Sequence, residues 1–188
     1  MDLHCATRWR RRTPLVAVLA VVGVLVGVTP AGADYFGGRY ADSSIHTYCS
    51  SETTSSDYNE LQPKVKASMD HLAAVTDMYA SATSCTSTTD FYWYATDQSN
   101  FTSSTVLGGT TCVNTLSDNK CDRFRIRFNE DQLDRTNTQI RHTACHEISH
   151  SLGSDDGLTV STGCFPQSSY SDGISHTTHE IYHINAQY

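Results

Sequence analysis

Positive charge is scarce in this chain of 188 residues, which has 13 Lys and Arg against 20 Asp and Glu and a formal net charge of −7 at pH 7. Four of the arginines lie at its very start, so the rest of the chain is more acidic still. Because an acidic surface repels phosphate groups, we expect neither a nucleic acid nor an anionic membrane as a partner. The sequence also lacks a heptad pattern, a low-complexity tail and an internal repeat.

Long hydrophobic runs are missing except near the start of the chain. Residues 15–28 form an almost unbroken apolar run of about fourteen residues, short of the roughly twenty that a membrane span needs. Arginines precede the run, and Ala31-Gly32-Ala33 offers a small-x-small cleavage site after it. This pattern predicts a signal peptide over 1–33 and a secreted, extracellular domain over 34–188. We expect a monomer without membrane contact after cleavage, and an uncleaved anchor is the alternative.

No two cysteines have the Cys-x-x-Cys spacing that is common in zinc-thiolate sites. One of the seven cysteines, Cys5, lies in the predicted leader. The six that remain in an exported chain indicate three disulfides. Among the possible connectivities we predict the pairing in sequence order, which is Cys49–Cys85, Cys112–Cys121 and Cys145–Cys164. A thiolate zinc site is the alternative.

Hydrophobic periodicity predicts an α+β fold, with helices packed on one mixed sheet. A helix is expected over 61–80, and a second over 138–152 with a buried stripe along one side. The aromatic segment 91–94 and the alternating segment 123–128 are typical of strands, the latter with its arginines facing solvent. A further strand is expected over 105–113, and a last short helix near Thr177. The stripe of the second helix consists of Ile140, Ala144, Ile148 and Leu152.

The most informative segment is 146–156, which reads His-Glu-Ile-Ser-His-Ser-Leu-Gly-Ser-Asp-Asp. On a helix, His146 and His150 are four residues apart and project from one face. Two imidazoles at this spacing can bind one Zn²⁺. Glu147, beside the first of them, is placed to take a proton from a zinc-activated water.

A third zinc ligand is expected just after this helix. Gly153 permits a sharp exit from the helix, and the turn can bring Asp156 round to the histidines. With three protein ligands, the fourth coordination position of the zinc stays open for water. An open position of this kind distinguishes a catalytic zinc site from a structural one. Asp155 is the alternative ligand, although the spacing favours Asp156.

Residues 179–183 contain a second His-Glu-x-x-His sequence. The residues after it, 184–188, include no His, Asp, Glu or Cys that could serve as a third ligand. Glu180 and Thr177 also have the spacing of a capping box. We therefore expect a C-terminal helix that packs through Ile181 and Ile184, and the alternative is that this copy holds the metal.

The pattern His146-Glu147-x-x-His150-x-x-Gly153-x-x-Asp156 resembles the signature of the metzincin zinc peptidases. The third zinc ligand in that family is usually histidine. In having aspartate at this position, the chain is similar to snapalysin. The flanking Cys145 and Cys164 and the closing His-Ile-Asn-x-x-Tyr resemble small secreted metzincin-like proteins of actinobacteria. The resemblance is specific over about residues 140–188. It implies a metzincin-like zincin domain with a scaffold helix, a mixed sheet, an active-site helix and a short C-terminal helix.

The resemblance also implies a function, a secreted zinc endopeptidase that acts on protein or peptide substrates. His146, His150 and Asp156 would hold zinc, and Glu147 would be the general base. The family, however, places a methionine in a turn beneath the metal, where this chain has Phe165. This departure and the aspartate ligand motivate one alternative, a catalytically inactive metzincin-like binding protein. A second alternative is a structural secreted module in which the histidines pack or cap a helix.

Overall fold

The computed structural model describes residues 38–52, 56–133, 136–156, 163–164 and 175–188. The predicted leader, residues 1–33, lies outside them, and so does Phe165. The described residues form an α+β fold. In chain order its elements are β1 (Tyr40–Ala41), β2 (Ile45–Ser50), α1 (Ser56–Val75), β3 (Tyr79–Ala82), β4 (Phe91–Thr96), a short 3₁₀ helix (Gln98–Asn100), β5 (Gly108–Thr115), β6 (Lys120–Asn129), α2 (Asn137–Ser151) and α3 (Thr178–Gln187).

The described strands form one mixed sheet, as the sequence predicts. Strands β3, β2, β4 and β6 are hydrogen-bonded in that order and run parallel, and β1 pairs with the start of β6. Strand β5 pairs antiparallel with β6. In the described part of the chain β5 has a strand neighbour on one side only. Among the described residues, the other side of β5 is therefore an edge of the sheet.

The core lies where the sheet meets α1 and α2. Alternate residues of β4 are buried, among them Phe91 and Trp93, which are at most 2% exposed. Leu72 of α1 and Ile148 of α2 belong to the same hydrophobic cluster. Burial of side chains of this size stabilises the fold by about 1.5–3 kcal/mol each, so the two helices are held firmly against the sheet.

Helix α1 ends five residues before the end predicted from the sequence. The side chain of Thr76 donates to the carbonyl of Leu72 at 2.7 Å and accepts from the backbone of Met78 at 3.2 Å. These bonds give the backbone an alternative to another helical turn. The chain then enters β3, which pairs with β2. The prediction of helix through residue 80 was wrong because strand pairing overrides helical spacing there.

The arginines of β6 are less exposed than the sequence predicts. Arg123, Arg125 and Arg127 are half-buried between the alternating core residues. The guanidinium of Arg123 lies 4.6 Å from the ring centroid of Tyr92, and that of Arg127 lies 5.2 Å from that of Phe101. Cation–π contacts of this kind let the arginines cover aromatic surface.

Three disulfides connect these elements, and they are the pairs predicted from sequence order. Cys49–Cys85 joins β2 to the segment after β3, Cys112–Cys121 joins β5 to β6, and Cys145–Cys164 ties α2 to the segment 163–164. Within the described ranges, no helix has the length and apolar character needed to cross a membrane.

Candidate metal centre

Helix α2 carries the first His-Glu-x-x-His sequence, and its apolar side is packed in the hydrophobic core. Thr136 begins it as an N-cap, accepting a hydrogen bond from the backbone of Gln139 at 3.3 Å. The predicted apolar stripe is confirmed, since all of its members are at most 1% exposed. The two histidines are two residues away from the nearest members of this stripe, so they project from the other side of the helix, where both are half-buried. The stripe consists of Ile140, Ala144, Ile148 and Leu152.

The chain turns sharply after α2, at the predicted glycine. Gly153 has a φ of 98°, a left-handed conformation that side-chain-bearing residues rarely adopt. Its backbone N–H donates to the carbonyl of His150 at 3.2 Å, and that of Ser154 donates to the carbonyl of Ser149 at 3.2 Å. These bonds close the helix and direct the following residues back towards the histidines.

Three predicted ligands meet beyond this turn. The Nε2 atoms of His146 and His150 are 3.1 Å apart. Oδ1 of Asp156 lies 3.4 Å from Nε2 of His146 and 3.3 Å from Nε2 of His150. All three groups can direct one ligand atom at a common point, whereas Asp155 lies against Gly38. Two imidazoles and a carboxylate are a donor set that zinc accepts, so these residues fit the metal.

Backbone carbonyls orient both imidazole rings. Nδ1 of His146 lies 3.2 Å from the carbonyl oxygen of Cys164, and Nδ1 of His150 lies 2.9 Å from that of Ser154. A carbonyl only accepts hydrogen bonds, so each Nδ1 carries a proton, and each Nε2 is the ring atom that faces Asp156. Such outer hydrogen bonds fix the tautomer and the ring orientation of histidine ligands. The Cys145–Cys164 disulfide holds one of these carbonyls in place.

The surroundings of His150 favour positive charge. Burial lowers its pKa, but the hydrogen bond to Asp156, the charge of Glu147 and the Ser154 carbonyl outweigh burial and raise it to about 9. The groups that stabilise an imidazolium would also stabilise a bound cation at this point. The site is therefore electrostatically suited to a divalent metal ion.

Glu147 lies between α2 and β5 and is only 4% exposed. The hydroxyl of Thr110 donates to its Oε2 at 2.8 Å. Strand β5 approaches the carboxylate closely at Gly108, where an added β-carbon would stand 2.8 Å from Oε1. The absence of a side chain at Gly108 thus allows the strand and the carboxylate to lie side by side.

A cavity of about 810 Å³ opens in front of these groups. It is lined by Glu147, both histidines, Asp156 and the residues of β5 from Gly108 to Cys112. A volume of this size is typical of sites that bind small molecules or short segments of polymer. One wall of the cavity is the β5 strand, and another is the face of α2 that carries His146 and His150.

Sequence reasoning missed His142, which lies one helical turn before His146 and lines the same cavity. It is 2% exposed, and its ring stacks on that of His146 with centroids 6.2 Å apart. Burial and then the neighbouring His146 lower its pKa to about 4, so its ring is neutral at pH 7. The spacing of four residues from His146 was the signal that could have identified it.

The second His-Glu-x-x-His sequence begins α3, and its glutamate caps the helix as predicted. Thr177 and Glu180 form a capping box, in which each side chain accepts from the other residue's backbone N–H. Glu180 is 1% exposed. Of the two isoleucines expected to pack, Ile184 is completely buried and Ile181 is half-buried.

A further group of potential ligands comprises Cys145, Cys164 and His176, all of them buried. The two cysteines are joined in a disulfide, so neither offers a thiolate. Nε2 of His176 instead lies 3.4 Å from the hydroxyl of Ser149 in α2. This group therefore serves the packing of α2, and the alternative of a thiolate zinc site finds no support in it.

Comparison of the chain with protein-family models gives no match, and comparison with curated proteins gives none either.

Proposed function

We propose that the protein is a secreted zinc-dependent endopeptidase. His146, His150 and Asp156 hold the zinc, and Glu147 is the general base. The observation that carries this proposal is the convergence of these three ligand groups at a cavity that Glu147 also lines. The resemblance to the metzincin signature adds the reaction class.

Zinc, when bound, supplies Lewis acidity that polarises a carbonyl and lowers the pKa of water. Glu147 takes a proton from the attacking water and later delivers it to the leaving amine. Thr110 orients the carboxylate through Oε2, and the small exposure of Glu147 keeps it out of bulk water. The carbonyls of Cys164 and Ser154 hold the two imidazoles in position.

The β5 strand supports a peptide as the substrate. Its unpaired edge in the described part of the chain borders the cavity next to Glu147. An extended peptide can add to such an edge through main-chain hydrogen bonds, which do not depend on its sequence. A peptide bound in this way would have its scissile bond beside the proposed general base without requiring a particular side chain.

Secretion is part of the proposal. Three disulfides suit an oxidising compartment, because cytosolic thiols are usually kept reduced. The predicted leader, residues 1–33, supplies the route of export.

The zinc content of the exported, dialysed protein tests the proposal. We expect one zinc per chain, retained in a His179→Ala variant and lost in a His146→Ala variant. Both variants remove one histidine from a His-Glu-x-x-His sequence, so each is the matched control for the other. Absence of zinc from the native protein, or loss only in the His179 variant, would overturn the assignment.

Hydrolysis of casein by the zinc-loaded protein then separates an enzyme from an inactive relative. We expect cleavage that a chelator abolishes and added zinc restores. A protein that holds one zinc in the His146 site but does not cleave casein or a library of short peptides would instead be the binding protein of the alternative hypothesis.

A further inference from the structure

The two histidines of the second copy form a pair with nearly the same geometry as the pair in the candidate metal centre. The ring centroids of His179 and His183 are 4.4 Å apart with an interplanar angle of 71°. The corresponding values for His146 and His150 are 4.6 Å and 86°. Both pairs are edge-to-face and one helical turn apart. The pair on α3, however, is accessible, since His179 is exposed and His183 is half-buried.

The pair on α3 is not a second catalytic site. Glu180, which would have to be its general base, is 1% exposed and accepts from the backbone of Thr177 in the capping box. Its carboxylate is thus turned into the protein at the start of the helix. This negative charge in the first turn also offsets the positive end of the helix dipole, which would otherwise disfavour a cation there.

We propose that His179 and His183 form a surface site for a divalent transition-metal ion, with Cu²⁺ bound most tightly. Two neutral imidazoles one turn apart can bind the same ion, and water can complete its coordination. Among divalent ions, imidazole sites bind Cu²⁺ more strongly than Ni²⁺ or Zn²⁺. The candidate centre on α2 differs in that the carboxylate of Asp156 lies against both of its imidazoles.

Titration of the exported, zinc-loaded protein with Cu²⁺ in a non-coordinating buffer tests this site. We expect one equivalent of Cu²⁺ with nitrogen ligation visible in its electron paramagnetic resonance spectrum. His179→Ala and His183→Ala should each weaken this binding roughly tenfold or more, because one imidazole alone cannot chelate. Thr178→Ala, which removes an exposed side chain next to His179 in the same helix, should leave the affinity unchanged.

Two results would overturn the proposal. One is a protein that takes up no Cu²⁺ beyond its zinc, and the other is unchanged Cu²⁺ affinity in both histidine variants. Helical circular dichroism shows whether α3 remains folded in each variant, and Thr178→Ala controls for substitution within that helix. A His146→Ala protein provides the link to the proposed function. It should lose zinc but keep the Cu²⁺ site on α3, so failure of one site is distinguishable from failure of the other.

Discussion

The chain presents the same five-residue pattern twice, on α2 and on α3, in two different environments. On α2 the histidines are mostly buried, with side chains 12% and 18% exposed, and the carboxylate of Asp156 lies against both. On α3 the pair lies at the surface, with His179 exposed and His183 half-buried. The histidine spacing is a property of the helix and is equal in both. What surrounds each pair differs, and this decides what chemistry the pair can perform.

The two glutamates show the same contrast. Glu147 lies at the cavity, held by a hydroxyl from β5, whereas Glu180 is used to begin its own helix. A local sequence pattern therefore does not distinguish a candidate general base from a helix cap. The two glutamates differ in the position of the carboxylate relative to the cavity and to the neighbouring strand.

The largest expected effect comes from exchanging each glutamate for glutamine. Glu147→Gln should retain zinc and lower kcat for casein hydrolysis by about 10²–10⁴-fold, because the general base is lost. Glu180→Gln should keep kcat within about twofold of the native value, since that residue caps α3 and does not line the cavity. Near-normal turnover in the Glu147 variant would contradict the proposed mechanism, and zinc content by mass spectrometry checks that the metal remains.

The third ligand offers the next largest effect. Asp156→Ala should weaken zinc binding by more than about a hundredfold, because even the loss of an outer hydrogen bond to a ligand costs roughly 10–100-fold. Asp155→Ala is the matched control, and its zinc affinity should stay close to the native value. Competition with a fluorescent chelator measures both constants. The reverse order of effects would mean that Asp155 is the ligand.

The close approach of β5 to α2 can be tested with two adjacent glycines. A β-carbon at Gly108 would stand 2.8 Å from the Glu147 carboxylate, so Gly108→Ala should displace it and lower kcat about 10–100-fold. Gly109→Ala should have little effect, since its nearest neighbour would be 3.7 Å away. Zinc affinity should be unchanged in both. Equal activity of the two variants would show that the position of Glu147 does not depend on β5.

The last expected effect is on the stability of the folded protein in acid, through a buried histidine that contacts the end of α2. His46 is completely buried, and its Nε2 lies 2.9 Å from the hydroxyl of Ser151 at the end of α2. Burial lowers its pKa from its ordinary value of 6.5 to about 4, so it is neutral in the folded protein and takes up a proton on unfolding. Its contribution to stability is therefore complete above about pH 6.5 and is lost as the pH falls towards 4, on the order of 3 kcal/mol.

Urea unfolding of the zinc-free protein between pH 4 and 8 measures this dependence. Keeping a chelator present removes the separate effect of zinc release in acid. His46→Gln cannot titrate, so the decrease in the free energy of unfolding should become smaller in that variant. An identical pH dependence in native protein and variant would contradict the assignment to His46.

Local features of the fold could be predicted from the sequence. The buried stripe of α2, the turn at Gly153 and the capping box of Thr177 and Glu180 each depend on residues that are close together in the chain. The disulfide pairing in sequence order also agrees with the structure. The end of α1 could not be predicted in the same way, because pairing of β3 with β2 decides it.

The sequence by itself determined that two pairs of histidines would stand on helical faces, each beside a glutamate, because α-helical geometry sets the i and i+4 positions. Only the tertiary structure decided that they differ. The turn after α2 brings Asp156 to one pair, and the antiparallel strand β5 brings Thr110 and Gly108 to Glu147. These contacts join residues far apart in the chain, and they form only when the sheet and the helices pack on one core.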